Sequence, residues 1–303
     1  MRRQLLPLAT IFSLVLPLPL ASGQNSGLVE HLRDEYKGKT FVLRGFYSND
    51  RLRYNSIGTL VRGANAGDWT GDGFVLILDF FFSHKRLVID AQRVEVVIDH
   101  KEFHLRPVTQ TAQDGGLIPV RVETKVDLGE QDSVVQFDDA ISKIFLSSKD
   151  HISDLIPDYW KPCVPAGLIG RNEICRFSKE ILAIPGVASA VESSSADYDN
   201  YSLKAASQIF HVGNGVSPPR SKYSPEPEFS EPARRTKYQG TLALGMTVNE
   251  KGMPMNIHIL SPLGAGLDAK AVRAVEKWKF EPAEKDGHPV AVEIAVEVDF
   301  HLY

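Results

Sequence analysis

Apolar positions between Phe41 and Leu128 recur in short runs broken by turn residues, which marks strands rather than helices. Phe41, Leu43, Phe46 and Tyr47 open the series, and apolar runs follow at 52–61, 74–82, 87–89, 94–98 and 120–128. Gly- and Ser-containing turns separate them, including Gly63, Gly73, Ser83, Gly115 and Gly116. The pattern predicts an antiparallel β-rich domain over 24–135, a meander or small open barrel with one core. A short amphipathic helix at 28–36, carrying Leu28, Val29, Leu32 and Tyr36, opens it ahead of the strands. Past residue 136 the period changes. Phe137, Ile141, Ile144, Phe145, Ile152 and Leu155 follow helical spacing until Pro157, with Asp138 and Asp139 in the first turn. This helix and a Cys-containing stretch without clear period form an extension over 136–185. Residues 186–219 read as a linker, poor in large apolar groups at 189–200, with a short strand at 208–212.

The last stretch, 220–303, has the clearest pattern. Pro225 and Pro227 enforce extended backbone. Ser230 can cap a short helix with Pro232 near its start. Leu242, Leu244, Met246 and Val248 alternate as one buried strand face, Asn249 and Gly252 make a hairpin turn, and Ile257 and Ile259 line the return strand. Leu267, Ala271, Ala274, Val275 and Trp278 form one stripe of a helix over 267–279, in which Trp278 is the expected largest core anchor. Pro282 prevents continuation. Val290, Val292, Ile294, Val296, Val298 and Phe300 then face inward on a final strand, with Glu293, Glu297 and Asp299 outward. The order predicts an α+β chain whose C-terminal domain has two helices and three strands. A right-handed crossover sets the last strand parallel to the second, with the first between them. The last strand is then an edge, and an exposed edge can pair with an extended peptide.

These signposts resemble the C-terminal domain of the TonB family. They are Pro227, Phe229 and Ala233; Gly240; Asn249, Glu250, Gly252 and Pro254; Leu267, Asp268 and Ala271; Trp278, Phe280 and Pro282; and Gly287, Pro289 and Val290. The resemblance covers about 216–303. Family members usually carry Tyr-Pro where this chain has Glu228, Phe229 and Ser230. It implies a non-enzymatic protein of the cell envelope associated with transport across the outer membrane. The implied partner is the TonB-box peptide of an outer-membrane receptor, paired with the backbone of Val292, Glu293, Ile294, Ala295, Val296, Glu297 and Val298. Pro227, Phe229, Trp278 and Phe280 flank or support that edge. The alternative is a soluble periplasmic scaffold that uses the same domain on another envelope protein without energy coupling. The family's membrane helix carries a Ser-x-x-x-His pair for the ExbB–ExbD motor. Here Pro17 stands four beyond Ser13 and residues 1–30 hold no histidine, so the resemblance does not extend to that coupling.

Composition bears on compartment and partners. Arg2 and Arg3, an apolar stretch from Leu5 to Leu20, and Ala21, Ser22 and Gly23 ahead of Gln24 read as a signal peptide over 1–23, cleaved on export. The rival reading is a retained inner-membrane anchor facing the periplasm. Pro7, Pro17 and Pro19 interrupt the run, which is shorter than the ~20 residues of a spanning helix. Net charge is −4, or −6 without Arg2 and Arg3, which argues against nucleic acid as a partner. Cys163 and Cys175 are the only cysteines, and export favours a disulfide between them over two free thiols. His100 and His104 are four apart beside Asp99 and Glu102, but they follow a strand and precede Pro107, so a turn is expected and no metal site. No nucleophile, phosphate-loop or dinucleotide motif occurs, so neither catalytic residues nor cofactors are expected. Edge pairing between copies leaves a homodimer open.

Overall fold

The computed structural model describes residues 24–63, 65–83, 86–100, 102–109, 119–125, 133–163, 175–187 and 209–302. The expected export segment and most of the expected linker lie outside these residues. The chain mixes helices and sheets.

Helix α1 (Gln24–Tyr36) leads to the short strands β1 (Thr40–Val42), β2 (Arg51–Tyr54) and β3 (Leu60–Arg62). One turn of helix, α2 (Trp69–Asp72), precedes β4 (Phe74–Ser83) and β5 (Arg86–Asp99), and β6 (Glu102–Pro107) and β7 (Pro119–Lys125) follow. Helix α3 (Ser133–Ile144), β8 (Arg176–Phe177) and α4 (Lys179–Leu182) complete this half. The sheet runs β1-β4-β5-β7-β2-β3, with β6 alongside β5 and β8 alongside β6. It is not purely antiparallel, because β2 pairs with β7, and β6 with β8, in parallel. Alternation in a sequence sets which face a residue takes. It does not set the direction of a partner contributed by distant chain.

Both faces of this sheet are buried, so two cores replace the single one expected. Val75 and Ile77 of β4 point to a cluster closed by Leu28 and Leu32 of α1 and by Ile141 and Ile144 of α3. Phe74 joins the opposite cluster with Val94, Val96, Phe103, Trp69, Trp160 and Phe177. The apolar run of β4, interrupted within 74–82 by Asp79 alone, is the sequence mark of a strand covered on both sides. Strand β5 is also continuous, where two strands were expected. Its polar centre, Gln92 and Arg93, is buried. Arg93 donates to the carbonyls of Asp72 (2.8 Å), Tyr47 (3.0 Å) and Asn49 (3.2 Å), so its burial leaves few donors unmet. Helix α3 stops well short of the expected 156. The Asp150 carboxylate accepts from the Ser147 amide (2.7 Å) and hydroxyl (2.6 Å), and this local turn competes with further helix.

Cys163 and Cys175 form a disulfide with a Cα–Cα distance of 5.4 Å, buried beside Trp160 and Phe177. It pins β8 to the chain that follows α3. Replacing both cysteines by serine is expected to lower stability by about 3 kcal/mol, by freeing the unfolded chain. Urea unfolding checks this, and an unchanged midpoint would count against it.

The second half contains β9 (Phe210–His211), β10 (Arg220–Tyr223), α5 (Glu231–Thr236), β11 (Gly240–Val248) and β12 (Pro254–Ser261). Helix α6 (Leu267–Val275), β13 (Lys279–Glu281), β14 (Ala283–Lys285), β15 (His288–Val290) and β16 (Val292–Phe300) follow. Its sheet has four strands in the order β12-β11-β16-β9, not three, and two small ribbons, β10-β13 and β14-β15, stand apart. Ser230 caps α5 by accepting from the Ala233 amide (3.2 Å). Helix α6 ends at Val275, four residues early. The amides of Lys277 and Trp278 bond back three residues, tightening the last turn before Lys279 enters β13.

The two halves share one hydrophobic cluster. The loop from β12 to α6 docks on β5 beyond the end of β4. Gly264 bridges Val97, and the Ala265 amide donates to the Val96 carbonyl at 2.7 Å. The Gly266 amide donates to the Thr70 hydroxyl (2.8 Å), and the Tyr238 hydroxyl donates to the Leu263 carbonyl (3.0 Å). Arg106 pairs with the buried Glu95, donates to Thr236 (3.0 Å) and lies over the Tyr238 ring at 4.6 Å.

Candidate functional site

Strand β16 carries every residue expected to pair with a partner. Its inner face, Val292, Ile294, Val296, Val298 and Phe300, lies opposite Val248, Met246, Leu244, Leu242 and Gly240 of β11 in unbroken antiparallel register. Glu293, Ala295, Glu297 and Asp299 take the outer face and are exposed. Among the described residues, the opposite edge of β16 is covered only at its start. There β9 runs parallel, with Phe210 opposite Val292 and His211 opposite Glu293, and the Phe210 amide donates to the Ala291 carbonyl at 2.9 Å. The N–H and C=O of one strand residue point to the same edge, and successive residues alternate. Ala291 and Glu293 therefore face β9, and Ala295, Glu297 and Asp299 present their backbone groups along the uncovered remainder. Beyond His211 the chain turns away at Gly213, whose φ of 110° is open to glycine. The sequence signal for β9 was the short strand expected at 208–212, but nothing in it named β16 as the partner.

The flanking residues brace this edge from below and from its far end. Phe229 meets Phe300 edge-on at 5.3 Å between ring centroids. Pro227 is half-buried on the same extended segment. Trp278 is not the core anchor expected of it. It is half-buried, and its indole Nε1 donates to the Pro225 carbonyl (3.1 Å), which fastens the extended segment to the end of α6. Phe280 is the buried member of that pair, with ring centroids 6.1 Å apart. The Cys163–Cys175 disulfide lies in the other half and takes no part in the edge.

A second concentration of polar groups lies where the halves meet. A cleft of about 260 Å³ is lined by Asp50, Asp72, Arg93, Arg235, Lys270 and Arg273, among others. Two of its acids, Asp68 and Asp72, are engaged in holding structure. Asp68 caps α2 through the Thr70 amide (2.9 Å), and Asp72 accepts from the Asp68 amide (3.2 Å) and pairs with Arg93 (3.4 Å). Asp268, fully buried in the first turn of α6, accepts from the amides of Leu263 (2.8 Å) and Gly264 (2.7 Å) and so fixes the docking loop. His100 sits in the turn after β5 beside Asp99, and His104 lies on β6 near Glu102 (3.8 Å). Among the described residues no group of three or more potential metal ligands converges.

Burial pushes the Asp268 carboxyl up from 3.8 to about 7, the two amides pull it down, and the Asp68 charge adds to the rise. Between those values the folded chain holds a proton that the unfolded chain has released. The stability linked to this group is therefore full below 3.8 and is lost as pH rises through about 7. Asp268→Asn is expected to flatten the fall of the unfolding midpoint across that window, relative to the parent chain. Equal slopes in the two proteins would refute this.

Comparison with known proteins agrees on the C-terminal segment. Residues 225–302 match the family described as Gram-negative bacterial TonB protein C-terminal. The chain is 33% identical over 81 residues to the protein tonB2 of Pseudomonas aeruginosa, a match covering 26% of this chain and 30% of that protein. It is 32% identical over 78 residues to the protein TonB of Vibrio cholerae serotype O1, covering 25% of this chain and 32% of that protein. The match thus spans about a third of the length of these relatives. The solution NMR structure of the Pseudomonas aeruginosa TonB C-terminal domain is matched over 96% of its length and 32% of this chain, at 20% identity and a TM-score of 0.25. Among the described residues no helix is long and apolar enough to cross a membrane. With 225–302 carrying the match and the sequence signposts falling on the same stretch, the C-terminal segment of this chain belongs to the TonB C-terminal domain family.

Proposed function

We infer that this chain is an exported, non-enzymatic envelope protein that binds an extended peptide of an outer-membrane receptor along β16, in the service of transport across the outer membrane. The carrying observation is the uncovered edge at Ala295, Glu297 and Asp299, on a segment matching the TonB family. An unpaired strand edge offers a partner a ready set of donors and acceptors, and side-chain positions beside it set preference. On this reading residues 1–23 are a signal removed before Gln24, and the first half is a platform to which the binding domain is docked. A second reading, a periplasmic scaffold without energy coupling, is favoured by that docking. A domain held on β5 through Gly264 and Ala265 lacks the reach of one on a free spacer.

Photo-cross-linking in cells tests the first reading. With a photoreactive residue at Ala295 or Glu297, the expected product is an adduct to the periplasmic end of an outer-membrane protein. The same group at the exposed Ile57 gives none. Adducts only to soluble envelope proteins would support the scaffold. N-terminal sequencing of the mature chain is expected to begin at Gln24, and a retained residue 1 would place it at the inner membrane instead.

A further inference from the structure

The chain's own β9 shows what chemistry the β16 edge accepts. In parallel register Phe210 lies opposite Val292 on the inner face, and His211 opposite Glu293 on the outer face. Phe210 packs against the hydrophobic cluster with the Lys285 ammonium 4.6 Å above its ring. The His211 ring nitrogen lies 3.9 Å from the Glu293 carboxylate. The strand thus places an apolar side chain inward and an imidazole outward beside a carboxylate. The same alternation continues along the uncovered part of β16. Ile294 and Val296 are half-exposed, whereas Val292, where β9 covers the edge, is fully buried, and Val298, further along, is buried without that cover. On the outer face, Glu297 lies opposite Ala243 of β11, and Asp299 opposite Thr241, whose hydroxyl donates to it. No base on β11 faces either acid in that register.

We propose that β16 selects a peptide that runs parallel to it with apolar residues opposite Val296 and Val298 and basic residues opposite Glu297 and Asp299. This rests on the edge-binding reading above and adds the chemistry of the partner. In a parallel ladder one residue bonds to the two neighbours of the residue it faces. A peptide residue opposite Val296 therefore takes the backbone groups of Ala295 and Glu297, and one opposite Val298 takes those of Glu297 and Asp299. A second copy paired edge to edge would bring its own acids against Glu297 and Asp299, and like charges facing across a ladder are destabilising. Charge complementarity thus favours a basic peptide over self-association.

The test titrates the isotopically labelled full chain with two seven-residue peptides, one alternating valine with lysine, the other valine with glutamate. Amide shifts at 295–299 report the site. The lysine peptide is expected to bind about tenfold more tightly at low salt, with the advantage shrinking as salt is added. The double variant Glu297→Lys, Asp299→Lys is expected to reverse the preference while leaving the amide pattern of β11 in place. Equal affinities at 295–299, or a tighter glutamate peptide, would overturn the basic preference and leave the edge reading intact. Absence of shifts at 295–299 with both peptides would overturn both. Shifts there that depend on protein concentration alone would identify a second copy as the occupant and overturn the proposal.

Discussion

Replacing Trp69 by alanine is expected to destabilise the folded chain by about 3–5 kcal/mol, the range for deleting a fully buried aromatic side chain. Trp69 is 1% exposed and sits on the single turn of α2, capped by Asp68. Its ring meets Trp160 edge-on at 5.0 Å, stacks on Phe103 at 6.1 Å and tilts against Phe74 and Phe177. Those partners come from β4, β6, β8 and the turn before the disulfide, so one side chain joins four separate pieces of chain. The next residue, Thr70, receives the Gly266 amide of the C-terminal half. A cavity at Trp69 therefore loosens both the aromatic core and the dock. Equilibrium unfolding in urea, followed by far-UV circular dichroism, gives the loss. Trp278→Ala is the matched comparison. Half-buried and held by one hydrogen bond to Pro225, it is expected to cost only about 1–2 kcal/mol. Equal losses from the two variants would mean that burial in this structure does not rank the two residues.

The same pair shows how far the sequence could be read. Helical spacing placed Trp278 on the apolar stripe of α6, but period identifies a face and does not say where the helix stops. The helix ended at Val275, and Trp278 swung to the extended segment at Pro225. The inner face of β16 was legible because period-2 alternation is local, and so was the hairpin at Asn249 and Gly252. Arg93 was misleading for the opposite reason. A charged residue in an apolar run reads as a break, and the three carbonyls that make its burial tolerable come from residues more than 20 positions away. The cover of β9 on β16, and the dock of Gly264 on β5, are pairings between distant segments with no local signature. Both decide how the candidate edge is presented. The signposts of the TonB resemblance marked the domain, and they did not reveal that part of its edge is occupied by the chain itself.

Gly264→Ala is expected to release the C-terminal half from the sheet of the first half while leaving its own strands paired. Gly264 has φ of 90°, which an L side chain rarely adopts, and a Cβ there would lie 2.4 Å from the Val96 carbonyl oxygen and 3.1 Å from Val97 Cα. That oxygen is the acceptor of the Ala265 amide, so relieving the clash breaks the bond that joins the halves. Left-handed strain alone costs roughly 1–2 kcal/mol, and loss of the edge contact with exposure of the apolar surface around Leu263 and Ala265 brings the total to about 3 kcal/mol. Hydrogen exchange gives the readout. The amides of Ala265 and Gly266 should lose protection, whereas those of Met246 and Ile294, inside the β11–β16 ladder, should keep it. Retained protection at Ala265 would show that the loop absorbs the methyl group, and loss across β11 and β16 would show that the C-terminal half folds only on its platform. Where only Ala265 and Gly266 lose protection, the released domain gains the reach that docking denies it. Cross-linking from Ala295 in the Gly264→Ala background then separates the two functional readings. A receptor partner out of reach of the docked edge is captured more often by the released one, whereas a scaffold partner that needs the docked geometry is captured less.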